Sequence, residues 1–187
     1  MTLALAIWCL TFGGCDEHAT TTSKVVGISD KEVHAWKDEL KNELPLLGHR
    51  NWIVVADMAY PLQTEPGIKT IYTDASYMEV LDFVYKAIGR MPHVKANIYQ
   101  DKELSYLDED HLVGLDTLRR QMKALFGGAI TPVLHDELIK GLAEVSRNFN
   151  VVILKTNLTM AYTSTFFELD CKYWGSEKEK ELRNRME

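Results

Sequence analysis

Leu44-Pro45-Leu46-Leu47-Gly48-His49-Arg50-Asn51-Trp52-Ile53-Val54-Val55-Ala56-Asp57-Met58-Ala59-Tyr60-Pro61 is the stretch around which the chain is organised. It reads as a helix end, a glycine, a histidine, a buried strand and an aspartate where that strand runs out. Trp52 to Ala56 is a short continuous apolar run with β-branched residues, the pattern of a strand covered on both faces. Pro61 removes a backbone donor and ends ladder pairing. His49 and Asp57 therefore bracket one strand and lie at its opposite ends if it is straight. Sharing a site requires the chain to fold back or a neighbouring subunit to supply one of them.

Working outward, Val33, Trp36, Leu40 and Leu44 recur at helical spacing, with Ser29 or Asp30 as N-cap, Glu32 in the first turn, and Pro45 and Gly48 as the stop. Downstream, Ile68 to Tyr72 reads as a strand. Ser76 caps a helix from Tyr77 to Ile88 whose Met78, Leu81, Val84, Tyr85 and Ile88 form one apolar face. His93 to Tyr99 alternates as a third strand, Leu104 to Asp110 is an acidic connection, and Leu112 to Phe126 is helical until Gly127-Gly128. Ile130 to Leu134 is a short edge strand broken by Pro132, and His135-Asp136-Glu137 opens a helix through Val145. Val151 to Thr156 is a strand, and Met160 to Leu169 leads into the last one. Strands alternating with helices predict an α/β domain of three layers, a central sheet flanked by helices.

The chain has 187 residues, enough for one domain with a sizeable core, and its 46% apolar and 26% charged content is that of a globular protein. A net charge of -6 without a Lys/Arg-rich segment argues against nucleic acid as a partner. The domain reading divides the chain into a signal-like segment (1–15), a threonine-rich linker (16–28), the folded domain (29–175) and a charged, helix-prone, solvated tail (176–187). Leu3 to Leu10 is apolar but too short to span a membrane, and Gly13-Gly14-Cys15 after it resembles the cleavage box of a bacterial lipoprotein signal. That resemblance implies lipidation at Cys15, membrane attachment and a place in the cell envelope on the periplasmic side; without a signal the protein is expected in the cytoplasm. Two departures stand beside it: no Lys or Arg precedes the apolar run, and Phe12 occupies a position where a smaller residue is usual. Cys9 would leave with the signal, so Cys171 would remain alone; no CxxC or Cys/His spacing suggests a metal.

No GxGxxG, P-loop, HExxH or GxSxG occurs, so dinucleotide, triphosphate, zinc-protease and serine-hydrolase readings lack support. The candidate chemistry carriers are His49, Asp57, His135, Tyr162 and Ser164, each near a strand end or a helix start, where α/β sheets place ligands. Their order carries a resemblance. Gly48-His49, the apolar strand to Asp57, and Ala59 with Pro61 resemble the opening motif of the ribose pyranase and fucose mutarotase family (RbsD/FucU type). Ser76 to Leu81 is similar to that family's first crossover helix, and Leu134-His135-Asp136-Glu137-Leu138 stands where ribose pyranases carry a substrate-contacting histidine. Ile153 to Thr156 followed by Tyr162 to Phe167 resembles the terminal strand pair with its Tyr-x-Asn motif. The resemblance runs from about Leu40 to Leu169. Ser164 departs from the motif's asparagine, replacing a bidentate amide with a single hydroxyl, and the stretch from Asp101 to Gly128 is longer and more acidic than the family norm.

The resemblance implies interconversion of anomers or ring forms of a monosaccharide such as ribose or fucose. Opening a hemiacetal requires one group to take the anomeric hydroxyl proton and another to protonate the ring oxygen, with no redox cofactor, metal or covalent intermediate. Histidine suits this near neutral pH. By similarity His49 is the acid/base, Asp57 binds sugar hydroxyls or orients the imidazole, and His135, Tyr162 and Ser164 contact the sugar. The family's ring-shaped homo-oligomers, with sites between neighbours, would bring His49 to Asp57. A non-catalytic, lipid-anchored monosaccharide-binding protein is the alternative expectation.

Overall fold

The computed structural model describes residues 35–187. The expectations for the signal-like segment, the linker and the helix start at Ser29 to Val33 lie outside the described residues.

Strand β1 (Trp52–Ala56) is at the centre of a six-stranded sheet, because its apolar run leaves no polar face to turn to water. It pairs in parallel with β5 (Val151–Lys155) and antiparallel with β6 (Thr165–Cys171), Val54 standing opposite Ile153 on one side and Phe166 on the other. Outside β5 lies β2 (Ile68–Tyr72), parallel to it; outside β6 lies β3 (Val94–Asp101), antiparallel to it; β4 (Thr131–Val133) closes that side parallel to β3. The order is β2-β5-β1-β6-β3-β4. Every strand but β6 therefore runs in one direction. Five strands end, and β6 begins, at the same edge of the sheet. Pro132 is tolerated in β4 because that strand is the sheet's margin.

Alternation along β1 divides two cores. Ile53 and Val55 face α1 (Ala35–Glu43), α2 (Tyr77–Arg90) and α3 (Leu115–Phe126), meeting Trp36, Leu40, Leu81, Val84 and Met122 among others. Val54 and Ala56 face the other way, toward Leu138 and Leu142 of α4 (His135–Val145). The result is the three-layer α/β arrangement expected from the alternating elements. Ser76 caps α2, accepting from the Glu79 amide at 3.4 Å. The charged end of the chain forms α5 (Ser176–Met186), which buries no residue.

Three of the differences from the sequence reading fall between Val94 and Leu115. The helix expected from Leu112 begins at Leu115, because Gly114 before it adopts a left-handed conformation (φ 92°). A 3₁₀ turn, Lys102–Tyr106, occupies the start of the acidic connection. Strand β3 runs past Tyr99 to Asp101, which pairs with Val133 of β4. The last difference matters most, since it delivers a carboxylate to the edge where the other strands end.

Candidate functional site at one edge of the sheet

Asp57 follows the last residue of β1 and is only 7% exposed. Its Oδ1 accepts the Ala59 amide at 2.8 Å, which closes the turn after the strand, and its Oδ2 accepts the Ser164 hydroxyl at 3.5 Å. Ser164 immediately precedes β6 and is fully buried. The chain there is pinned by Tyr77 of α2, whose hydroxyl donates to the Thr163 carbonyl and lies 2.7 Å from Thr165 Oγ1. Burial above all pushes the Tyr77 hydroxyl's pKa well up, so it remains a neutral donor.

Two residues earlier, Tyr162 has φ 58°, a left-handed backbone that a bulky side chain adopts only when its surroundings hold it there. Its ring meets His135 edge to face, centroids 5.4 Å apart at 88°. His135 opens α4. No side chain of the preceding residue caps this helix; instead both oxygens of Glu103 accept the His135 amide at 3.1 Å, placing a negative charge at the helix N-terminus. The imidazole Nδ1 lies 3.0 Å from Oδ1 of Asp101, a carboxylate with no exposed side-chain surface at the end of β3.

Burial raises the Asp101 carboxyl to about 6; the hydrogen bond and charge of His135 oppose that shift, while Glu103 and Asp57 add to it. Burial, joined by the charges of Asp101 and Asp57, also pushes the Tyr60 hydroxyl far above its ordinary pKa. Tyr60 Oη and Asp101 Oδ2 are buried without a hydrogen-bond partner among the described residues. Lys155, at the end of β5, donates to the Tyr60 carbonyl at 2.7 Å.

One edge thus gathers Asp57, Ser164, Tyr162 and His135, four of the five residues singled out from the sequence. It adds Asp101 and Tyr60, which sequence reasoning passed over. The signal for Asp101 was available: it continues the alternation of β3 on the face of Tyr99. What this edge offers chemically is a set of carboxylates, hydroxyls and an imidazole, the donors and acceptors that recognise polyhydroxylated ligands.

His49 lies elsewhere. It is exposed in the turn ahead of β1, at the opposite edge, and roughly 17 Å of strand separates it from Asp57. It lines an open cleft of about 890 Å³ with Arg50, His93, Cys171, Trp174 and Arg183. His93 Nε2 is held 3.0 Å from the Leu47 carbonyl. Among the described residues no group of three His, Cys, Asp or Glu side chains is placed to hold a metal ion.

The fold is that of two solved sugar-complexed proteins. RbsD from Bacillus subtilis, solved in complex with D-ribose, matches with a TM-score of 0.50 at 14% identity, over 71% of this chain and 91% of its own. The fucose mutarotase from Streptococcus pneumoniae, solved in complex with L-fucose, matches with a TM-score of 0.50 at 24% identity, again over 71% and 91%. No protein-family model matches the chain, and no curated protein matches it in sequence. At these identities the likeness is one of architecture.

Proposed function

We propose that the protein is a monosaccharide isomerase of the mutarotase or pyranase type, with the sugar held at the edge where Asp57, His135 and Tyr162 meet. The observation that carries this reading is the gathering of buried acceptors and donors at that edge, in a fold shared with RbsD and the fucose mutarotase. Asp57 accepts from sugar hydroxyls, His135 and Tyr162 flank the ring, and Ser164 acts through Asp57, on which its hydroxyl rests.

His49 is the acid/base group, and it comes from a second copy of the chain. A straight β1 keeps it from its own Asp57. The large apolar side chains exposed around the candidate site support a neighbour there: Met58, Leu134 and Tyr162 are 39%, 44% and 38% exposed, and Leu62 is 72% exposed. General acid–base catalysis supplies about 10² to 10⁴ in rate, sufficient for a ring opening that proceeds slowly unaided. Envelope attachment through Cys15 belongs to the same proposal and is checked by the intact mass of the protein purified from membranes.

Exchange NMR of the anomeric protons of ribose, fucose, galactose and glucose, with and without protein, tests the reading. Accelerated exchange for one sugar, abolished in His49→Ala, supports the isomerase and names its substrate. Sugar binding without acceleration overturns the catalytic claim in favour of a binding protein.

A further inference from the structure

Asp101 is an expensive residue to bury. Its side chain has no exposed surface, one of its oxygens has no hydrogen-bond partner among the described residues, and the negative charges acting on it come from Glu103 and Asp57. The tyrosines Tyr60 and Tyr77 also face its charge, which adds to the rise that burial chiefly imposes on both hydroxyls. A purely structural hydrogen bond to His135 would be made at lower cost by a neutral side chain, since an ionised carboxylate in this setting is disfavoured. Among the described residues its compensating partner is the imidazole at 3.0 Å.

We propose that Asp101 is the positioning residue for His135, holding the Nδ1–H so that Nε2 faces the sugar and His135 becomes the second proton carrier of the site. This rests on the isomerase reading. An ionised carboxylate only accepts, so the nitrogen facing it carries the proton and the other nitrogen is left free for the ligand. The edge-on contact with Tyr162 limits rotation of the ring.

The reaction then balances without a further reactant. His49, neutral, takes the proton of the anomeric hydroxyl while protonated His135 gives its Nε2 proton to the ring oxygen. The bond between C1 and the ring oxygen breaks and C1=O forms. His135 is left neutral with Nδ1–H on Asp101. Closure on the other face of C1, or by another hydroxyl, returns both protons by the reverse steps. Nothing is oxidised or reduced.

Two measurements on the full-length protein test this. The ¹⁵N shifts of His135 above pH 7 are expected to report the Nδ1–H tautomer; the Nε2–H tautomer would overturn the proposal whether or not the protein is an isomerase. With the sugar whose exchange is accelerated, Asp101→Asn is expected to lower the saturated exchange rate about 10- to 100-fold, to leave half-saturation within about threefold, and to remove an acid limb with its midpoint near 6. A folded Asp101→Asn protein with the wild-type rate and pH profile would overturn the positioning role while leaving the isomerase intact. Absence of exchange in the wild type, by contrast, would bring down the isomerase reading itself and the proton-carrying role with it.

Discussion

At one edge of the sheet Asp57, Asp101 and Ser164 are buried and tied to neighbours; at the other, His49 and Arg50 stand exposed at the mouth of an open cleft. The buried edge holds its groups in fixed geometry and raises the Asp101 carboxyl by desolvation. The open edge leaves His49 accessible to another molecule. If the proposed function holds, the contrast teaches how a short central strand serves a two-residue chemistry: recognition is organised where the strands end, while the exposed histidine is presented outward from where β1 begins. On the proposed reading a second copy joins them.

Removing His49 should break this contrast most severely. His49→Ala is expected to lower sugar exchange by about 10² to 10⁴, the range of a lost general acid–base group. Because the side chain is exposed, stability should stay within about 0.5 kcal/mol of wild type in urea melts. A comparable loss of stability would mean that the open edge is structural.

The buried edge should respond to pH instead. Asp101 goes from an ordinary value of 3.8 to about 6 on folding, so the folded protein binds the proton more tightly than the unfolded chain. This group's contribution to stability is therefore greatest below pH 4, declines between about 4 and 6, and is a full penalty above 6. Asp101→Asn removes the titration, and at pH 8 it should gain roughly 2 kcal/mol relative to its difference from wild type at pH 4. Urea melts at the two pH values check this; a pH-independent difference would contradict it.

A smaller effect is expected at Ser164. Ser164→Ala leaves Asp57 Oδ2 without its donor and should cost about 1 kcal/mol in stability, with sugar half-saturation raised about fivefold. Thermal melting and a sugar titration measure the two parts. An unchanged half-saturation would show that Asp57 is oriented without Ser164.

Much of this geometry could be read locally. The continuous run from Trp52 to Ala56 gave β1 and the separation of His49 from Asp57, because five extended residues set a distance whatever surrounds them. The periodic apolar face of α2 and the glycine pair after Phe126 were equally local signals. Asp101 was legible only in part, through its alternation with Tyr99 on one face of β3. An aspartate followed by Lys102 and Glu103 reads as loop, and its burial depends on β4 pairing and on His135, 34 positions along the chain, docking beside it. Tyr60 directly precedes Pro61, where no local pattern asks for burial, yet its ring is packed against the core beneath α4, 6.4 Å from Phe166. The left-handed Tyr162 was similarly hidden, since no local pattern asks a tyrosine for a positive φ.

The claim that the two edges meet between copies is tested most directly by mixing two inactive variants. His49→Ala keeps the buried edge and Asp57→Asn keeps the histidine. Co-assembled after dissociation, the pair should regain sugar exchange, because some sites then combine the intact edge of one chain with the intact histidine of the other. Mixed oligomers confirmed by mass spectrometry but without regained exchange would contradict a site shared between neighbouring chains.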